Sequence, residues 1–195
     1  MDLRVIRERY RELFGADTAV SRERPELDAR LHLDVVRCDG EPAHELTAWA
    51  TVGLCRLDNG TVLPDGRPLR IELLGVGSRG WTGFAAAFIT CSGELSRPGV
   101  AARPGAVLRD AFRRVDPTVT TPHALLVEPF SWTDGQLDRL RRDQQGEAVV
   151  VAWLQVVPIT EAEAALVRDQ GVRVLEAALA AAEVPIEDLH RASAA

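Results

Sequence analysis

The chain has 195 residues, of which 46% are hydrophobic and 27% are charged, and its formal net charge is −6 at pH 7. This composition is typical of a globular protein with a packed core, and it excludes a wholly disordered chain. The acidic balance disfavours a general phosphate-backbone binder, so we expect no nucleic-acid partner.

Two further absences in the sequence bear on location. No apolar run reaches the roughly 20 residues of a membrane span, and the stretch MDLRVIRERYRELFG is charged and periodic rather than a secretion signal. Cys38, Cys55 and Cys91 lie far apart, which fits neither a disulfide framework nor a zinc motif. We therefore expect reduced thiols, a cytoplasmic location, no membrane partner and no cofactor.

The N-terminal third predicts one helix and two strands. Apolar residues recur at helical spacing over residues 2–15, and Gly15 ends the helix. Residues 16–30 are polar and contain a proline, which predicts a loop. The segments 31–36 and 45–54 alternate between apolar and polar residues and predict strands.

The middle of the chain predicts a hairpin followed by a helix. Two turn signals, Asp58-Asn59-Gly60 and Pro64-Asp65-Gly66, separate the strand at 45–54 from a strand at 69–74. These two strands are therefore expected to be antiparallel neighbours. Apolar residues at positions 81, 84, 85 and 88 predict a helix that starts near Trp81.

The C-terminal half predicts two strands and further helices. After an irregular segment at 96–105 come a strand at 123–129 and a short helix at 133–143. The run AVVVAWLQVV, residues 148–157, predicts a central strand that is buried on both faces and ended by Pro158.

A last helical region closes the chain. Thr160 and Glu163 form a capping box at its start, Gly171 interrupts it, and the residues after 185 are expected to be a flexible, dispensable tail. Strands come in consecutive groups rather than in alternation with helices. We therefore expect a single α+β domain over 1–195, with a mixed, largely antiparallel central sheet covered by helices.

The stretch GVGSRG carries the glycine spacing of a dinucleotide-binding turn, at Gly75, Gly77 and Gly80. A strand precedes it and a helix follows, as phosphate binding at a helix N-terminus requires. No second parallel strand with an acidic end follows that helix, so the full fingerprint is missing. The favoured interpretation is that the glycines let the strand bend sharply and bring the helix back over the sheet.

Other side chains are candidates for a site. His32 and Asp34 lie on one face of a predicted strand and could serve as a metal or acid/base pair, with His44 as a third group. The alternative is that the pair marks a strand face or a sheet edge in contact with water. Trp49 shares the polar face of its strand, so it could be an exposed contact residue, and it could equally be covered by a helix. Arg70 and Glu72 share a strand face, and an ion pair with a neighbouring strand is the simplest interpretation.

Several stretches together resemble the suppressor of fused (SUFU) domain family, in its short bacterial type. AWATVGLCR at 48–56 resembles the family's T-x-G-(L/M)-S strand, with Cys55 in place of the usual Ser, and Glu72-Leu73 resembles its E-L strand. WLQVVPIT with Glu163 and Gly171 resembles the family's strand-to-helix segment, and LHLDVV resembles its H-x-D strand. The resemblance spans about residues 30–182.

The resemblance implies an α+β domain without enzymatic activity that binds another protein, and short bacterial members look like immunity proteins that neutralise a toxin. We therefore expect a protein that sequesters a partner, such as a basic nuclease toxin, with Trp49, Arg70 and Glu72 as candidate contacts or with an edge strand that accepts a peptide. The alternatives are a nucleotide-binding protein or enzyme that uses GVGSRG, and a subunit of a larger assembly. The oligomeric state stays open.

Overall fold

A single mixed β-sheet organises the protein. The computed structural model describes residues 2–15, 19–23, 33–97, 99–132, 135–136 and 148–195. Within these residues the sheet has seven strands in the order β1-β2-β3-β4-β7-β6-β5. The strands are β1 (Ala19–Glu23), β2 (Leu33–Asp39), β3 (Leu46–Val52), β4 (Leu69–Ser78), β5 (Val107–Leu108), β6 (His123–Val127) and β7 (Val150–Ile159).

Every neighbouring pair of strands is antiparallel except β4 and β7, which run parallel at the centre. The expected antiparallel pairing of β3 with β4 is confirmed. The α+β class with a mixed, largely antiparallel sheet is likewise confirmed. The predicted central strand is β7, which continues through Pro158 to Ile159, so the expectation that Pro158 ends it is wrong.

The described helices cover both faces of the sheet. They are α1 (Leu3–Phe14), α2 (Phe84–Leu95), α3 (Glu161–Gln170) and α4 (Val172–Ala182), together with a 3-10 turn at Leu54–Arg56. The predicted helix at 133–143 lies almost wholly outside the described residues.

The alternation of side chains along β7 shows how the helices are layered. Leu154 and Val156 belong to the core cluster under α2, whereas Trp153 packs with α1 and Val157 packs with α3 and α4. Since successive side chains of a strand point to opposite faces, α2 lies on one face of the sheet, and α1, α3 and α4 lie on the other.

The predicted N-terminal helix is confirmed as α1. The side chain of Asp2 accepts a hydrogen bond from the amide of Arg4 at its start, and Gly15 ends it with a φ of 86°. The loop expected at 16–30 is wrong in part, because residues 19–23 form β1 and pair with β2. The polar sequence AVSRE hides this strand, since backbone pairing with a neighbour needs no apolar pattern.

The segment after residue 185 is not the flexible tail that the sequence predicted. Leu189 is buried in the core cluster under α2, and its carbonyl accepts hydrogen bonds from Thr121. Arg191 is 4% exposed and forms a two-pronged pair with Glu163, with N···O distances of 2.6 and 2.8 Å. Glu163 also completes the predicted capping box with Thr160, so the C-terminal segment is fastened to the start of α3.

Candidate protein-binding groove

The glycines of GVGSRG make room for an aromatic ring. Gly75 and Gly77 lie inside β4, which runs straight on to Ser78, so the sharp bend expected there is wrong. A Cβ atom on Gly75 would lie 2.7 Å from the ring of Phe84, and one on Gly77 would lie 2.5 Å from it. Gly80 faces open space. The ring therefore occupies the space beside the first two glycines that a phosphate group would need.

Trp49 is buried, so of the two alternatives the structure supports a residue covered by a helix, and exposure as a contact residue is wrong. Its side chain is 3% exposed and stacks on Phe84, with ring centroids 6.2 Å apart. The guanidinium of Arg37 lies 5.3 Å from the centre of the Trp49 ring on the same strand pair. Period-two alternation did not reveal this burial, because the sheet is covered on both faces and α2 lies over the face that carries Trp49.

Glu72 is also buried, and its carboxylate forms hydrogen bonds within the fold. One carboxylate oxygen accepts hydrogen bonds from the amides of Gly53 and Cys55, at 2.9 and 3.1 Å, and the other accepts one from the Thr51 hydroxyl at 2.5 Å. Burial raises the pKa of Glu72 above its usual value, against the opposing effect of these hydrogen bonds. Glu72 therefore holds the turn after β3, away from any partner.

Arg70 keeps some access to solvent. Its side chain is 16% exposed and its guanidinium lies 3.0 Å from the carboxylate of Asp58. The ion pair expected for it therefore reaches the loop before β4 rather than a neighbouring strand. Arg70 remains a candidate contact at the edge of that loop.

The His32 and Asp34 pair does not gather further ligands among the described residues. His32 lies outside the described residues, and Asp34 is buried in an ion pair with Arg7. His44 lies in the turn after β2, at the opposite end of that strand from Asp34. Among the described residues there is no group of three or more His, Cys, Asp and Glu side chains that could hold a metal ion.

An apolar groove of about 670 Å³ lies at the β6 side of the sheet. Its floor consists of Leu125, Val127 and Val157, from β6 and β7. One wall is α4, with Leu179, together with the segment that follows it, with Ile186. The groove has this shape because α4 covers only part of the apolar face that these two strands present.

The opposite wall is the loop after β6, and Gln155 holds it in place. The side-chain oxygen of Gln155 accepts hydrogen bonds from the amides of Phe130 and Ser131, at 3.0 and 3.2 Å. Its side-chain nitrogen donates to the hydroxyl of Ser131 at 2.6 Å. Gln155 is buried, and this loop supplies hydrogen-bond partners for both its side-chain oxygen and its side-chain nitrogen. Phe130 is thereby presented at the groove with 56% of its surface exposed.

Four charged side chains lie around the groove. Arg173 and Glu176 neutralise each other on α4, with a distance of 3.1 Å between the charged atoms. Glu128 and Glu183 also line the groove, and both residues are exposed. The groove thus combines an apolar floor with an acidic rim.

Sequence reasoning missed this surface. The strand predicted at 123–129 included Glu128, and Phe130 lies after β6 at a position whose exposure depends on the position of α4. The one available signal was Gln155, a polar residue within an otherwise apolar strand. Such a residue must find hydrogen-bond partners in the core, and here it finds them in the wall of the groove.

A mixed sheet with helices on both faces and an open apolar groove defines an α+β protein with an accessible surface for another molecule. A family model described as suppressor of fused protein (SUFU) matches residues 30–192. The chain belongs to this family.

Two known proteins are similar to it. The immunity protein YqcF of Bacillus subtilis (strain 168) is 24% identical over 161 residues, which are 83% of this chain and 81% of that protein. The crystal structure of a putative SUFU homolog from Neisseria gonorrhoeae FA 1090 superposes with a TM-score of 0.70. It is 14% identical, and the match covers 98% of this chain and 96% of that one, which shows a shared fold.

Two remaining expectations concern the cysteines and the membrane. Cys38, Cys55 and Cys91 are buried and form no disulfide with one another, in agreement with the expected reduced thiols. Burial raises the pKa of Cys91 to about 12, so this thiol stays protonated. In the part of the chain that the structure describes, no helix has both the length and the apolar character needed to cross a membrane.

Proposed function

We propose that this protein binds a toxin protein and neutralises it, as immunity proteins do. The observation that carries the proposal is the similarity to an immunity protein over about four fifths of both chains. Membership of the SUFU family supports a binding role rather than catalysis. The ring of Phe84 beside Gly75 and Gly77 speaks against the alternative, nucleotide binding at GVGSRG.

The charge of the protein points to a basic partner. A net charge of −6 attracts a basic protein, such as a nuclease, over long range and speeds its capture. Three buried cysteines in thiol form fit action in the reducing cytoplasm. Arg70 is a candidate contact, whereas Trp49 and Glu72 would have to leave the core to touch a partner.

The test of this role is neutralisation. The tagged protein is used to isolate its partner from native lysate, and the partner is then expressed in a bacterial host with and without this protein. We expect the partner alone to stop growth and co-expression to restore it. A partner that is harmless alone, or one whose toxicity persists on co-expression at equal levels, would contradict the proposal.

A further inference from the structure

We infer that the apolar groove binds a segment of the partner protein that carries a ridge of apolar side chains flanked by arginine or lysine. This inference rests on the proposed function and adds the chemistry of the contact to it. It follows from three properties of the groove: its exposed apolar wall, its acidic rim and its size.

The apolar wall is costly to leave in water. Phe130 is the one exposed aromatic side chain among the described residues, and Gln155 fixes the loop that carries it. Leu179 and Ile186 are half-buried on the facing wall. An exposed aromatic ring beside an apolar floor is typical of the residues that dominate binding energy at protein interfaces.

The carboxylates determine the charge of the occupant. No ion pair within the described residues involves Glu128 or Glu183, whereas Arg173 is already paired with Glu176. An apolar segment that brings a guanidinium or ammonium group to this rim would pair with them, and an acidic segment would be repelled. A second copy of this chain is disfavoured for the same reason, because it is itself acidic.

Glu183 is held at the rim by an uncommon backbone conformation. Its φ is 48° and its ψ is 35°, in the left-handed region at the end of α4, where glycine is the usual residue. A non-glycine residue there is strained, and strain of this kind is concentrated at functional sites. Replacing Glu183 by glycine should therefore maintain or raise the stability of the protein. It should weaken only a function that needs the carboxylate.

The size of the groove fits several side chains. Its volume of about 670 Å³ lies within the range of pockets that enclose a drug-sized ligand. It is open along the surface between α4 and the Phe130 loop, so a continuous polypeptide segment can lie across it. A protein segment is therefore the occupant that fits both the shape and the charge.

The inference is tested with synthetic peptides, which do not require the natural partner. Fluorescein-labelled peptides carry leucines at helical spacing or in alternation, each flanked by lysines in one version and by glutamates in the other. By fluorescence anisotropy at low salt, we expect at least one lysine version to bind about tenfold or more tightly than its glutamate version. We expect this preference to shrink at high salt.

Variants locate the binding. Phe130→Asp should weaken binding of the lysine peptide about tenfold or more, as loss of a central aromatic contact does. Glu183→Gly should weaken it several-fold while the urea midpoint of unfolding stays the same or rises. Val62→Asp is the matched control, because Val62 is 61% exposed in the loop before β4 and outside the groove. It should bind like the wild type.

Each opposite result overturns the inference: no peptide binding, equal binding of both versions, or binding that survives Phe130→Asp. A concentration-dependent dimer in sedimentation velocity that Phe130→Asp dissolves would assign the groove to a second copy instead. The outcome is separable from that of the proposed function. If the lysine peptide binds in the groove but no toxin partner is found, the groove stays a binding site and the immunity role is contradicted. If the Phe130→Asp variant still neutralises the toxin, the immunity role stands and binding through the groove is contradicted.

Discussion

At the scale of single residues, the ring of Phe84 shows how a suggestive motif serves packing. Its neighbours Trp81, Phe88 and Phe112 lie with ring centroids 5.3 to 5.7 Å away, so the ring has little freedom to move. The Phe84 ring also lies against Gly75 and Gly77 of β4. The spacing of those glycines therefore reflects one ring lying flat on a strand, since residues i and i+2 share a face.

Gly77→Ala should therefore destabilise the protein. The new methyl group would lie 2.5 Å from a ring that cannot shift, which we expect to cost about 1 to 3 kcal/mol of the free energy of unfolding. Gly80→Ala is the control, because a Cβ there meets nothing within 4 Å. Urea unfolding of both variants checks this. Equal stability of the two would contradict the packing role, and Phe84→Leu should reduce the cost of Gly77→Ala in a double-mutant cycle.

A second residue-scale prediction concerns pH. Folding raises the pKa of Glu72, so the folded state favours its protonated form. The contribution of this group to stability is full below the unfolded pKa of about 4.3, and it declines as pH rises through the raised folded pKa. The decline amounts to about 1.4 kcal/mol for each pH unit between the two values.

Glu72→Gln removes the titrating group and should remove this decline. The difference in free energy of unfolding between wild type and Glu72→Gln, measured in urea from pH 3 to 8, should therefore change above about pH 4.3 in favour of the variant. A difference that stays constant over the whole range would show that Glu72 titrates in the folded protein as it does in the unfolded chain.

At the scale of elements, the segment after residue 185 packs against the start of α3, and we call this segment the C-terminal strap. Burial acts to raise the pKa of Glu163, but the hydrogen bonds from Arg191 and from the amides of Ala194 and Thr160 outweigh it, and the pKa is lowered. Glu163 therefore stays charged and needs its cation. The sequence showed the capping box but not the strap, because a pair 28 residues apart leaves no local pattern.

Arg191→Leu should test the strap. It leaves the Glu163 carboxylate buried without its partner, which typically costs about 3 to 5 kcal/mol. His190→Ala, at the neighbouring exposed position, should change stability by less than about 0.5 kcal/mol. Urea unfolding distinguishes them. If Arg191→Leu is as stable as His190→Ala, the segment is the dispensable tail that its sequence suggests.

Elements with a strong local pattern were predictable, and those that depend on partners were not. The apolar run of β7, the periodicity of α1 and the capping of α3 were each evident in a few consecutive residues. In contrast, β1 and β5 are polar or very short and exist because a neighbour pairs with them. Propensity carries little information about strands of this kind.

At the scale of the whole molecule, the same distinction separates the fold from the site. The order of strands and helices predicted the α+β class, and the strand-to-helix segment around Thr160 carried the family resemblance that the comparisons confirm. The groove arises where β6, α4 and the loop before Trp132 meet in space. No local pattern describes such a meeting. The predicted contacts therefore fell on Trp49 and Glu72, which are buried on opposite faces of the sheet because helices cover both faces.

The most direct measurement is a pull-down from native lysate with tagged wild type, Phe130→Asp and Val62→Asp, at low and high salt, read by quantitative mass spectrometry. We expect wild type and Val62→Asp to recover one partner in stoichiometric amount, with about tenfold less recovered by Phe130→Asp and less recovered by all at high salt. Recovery of no partner, where a known immunity pair is recovered in parallel, would contradict capture. Equal recovery by Phe130→Asp would contradict capture through the groove.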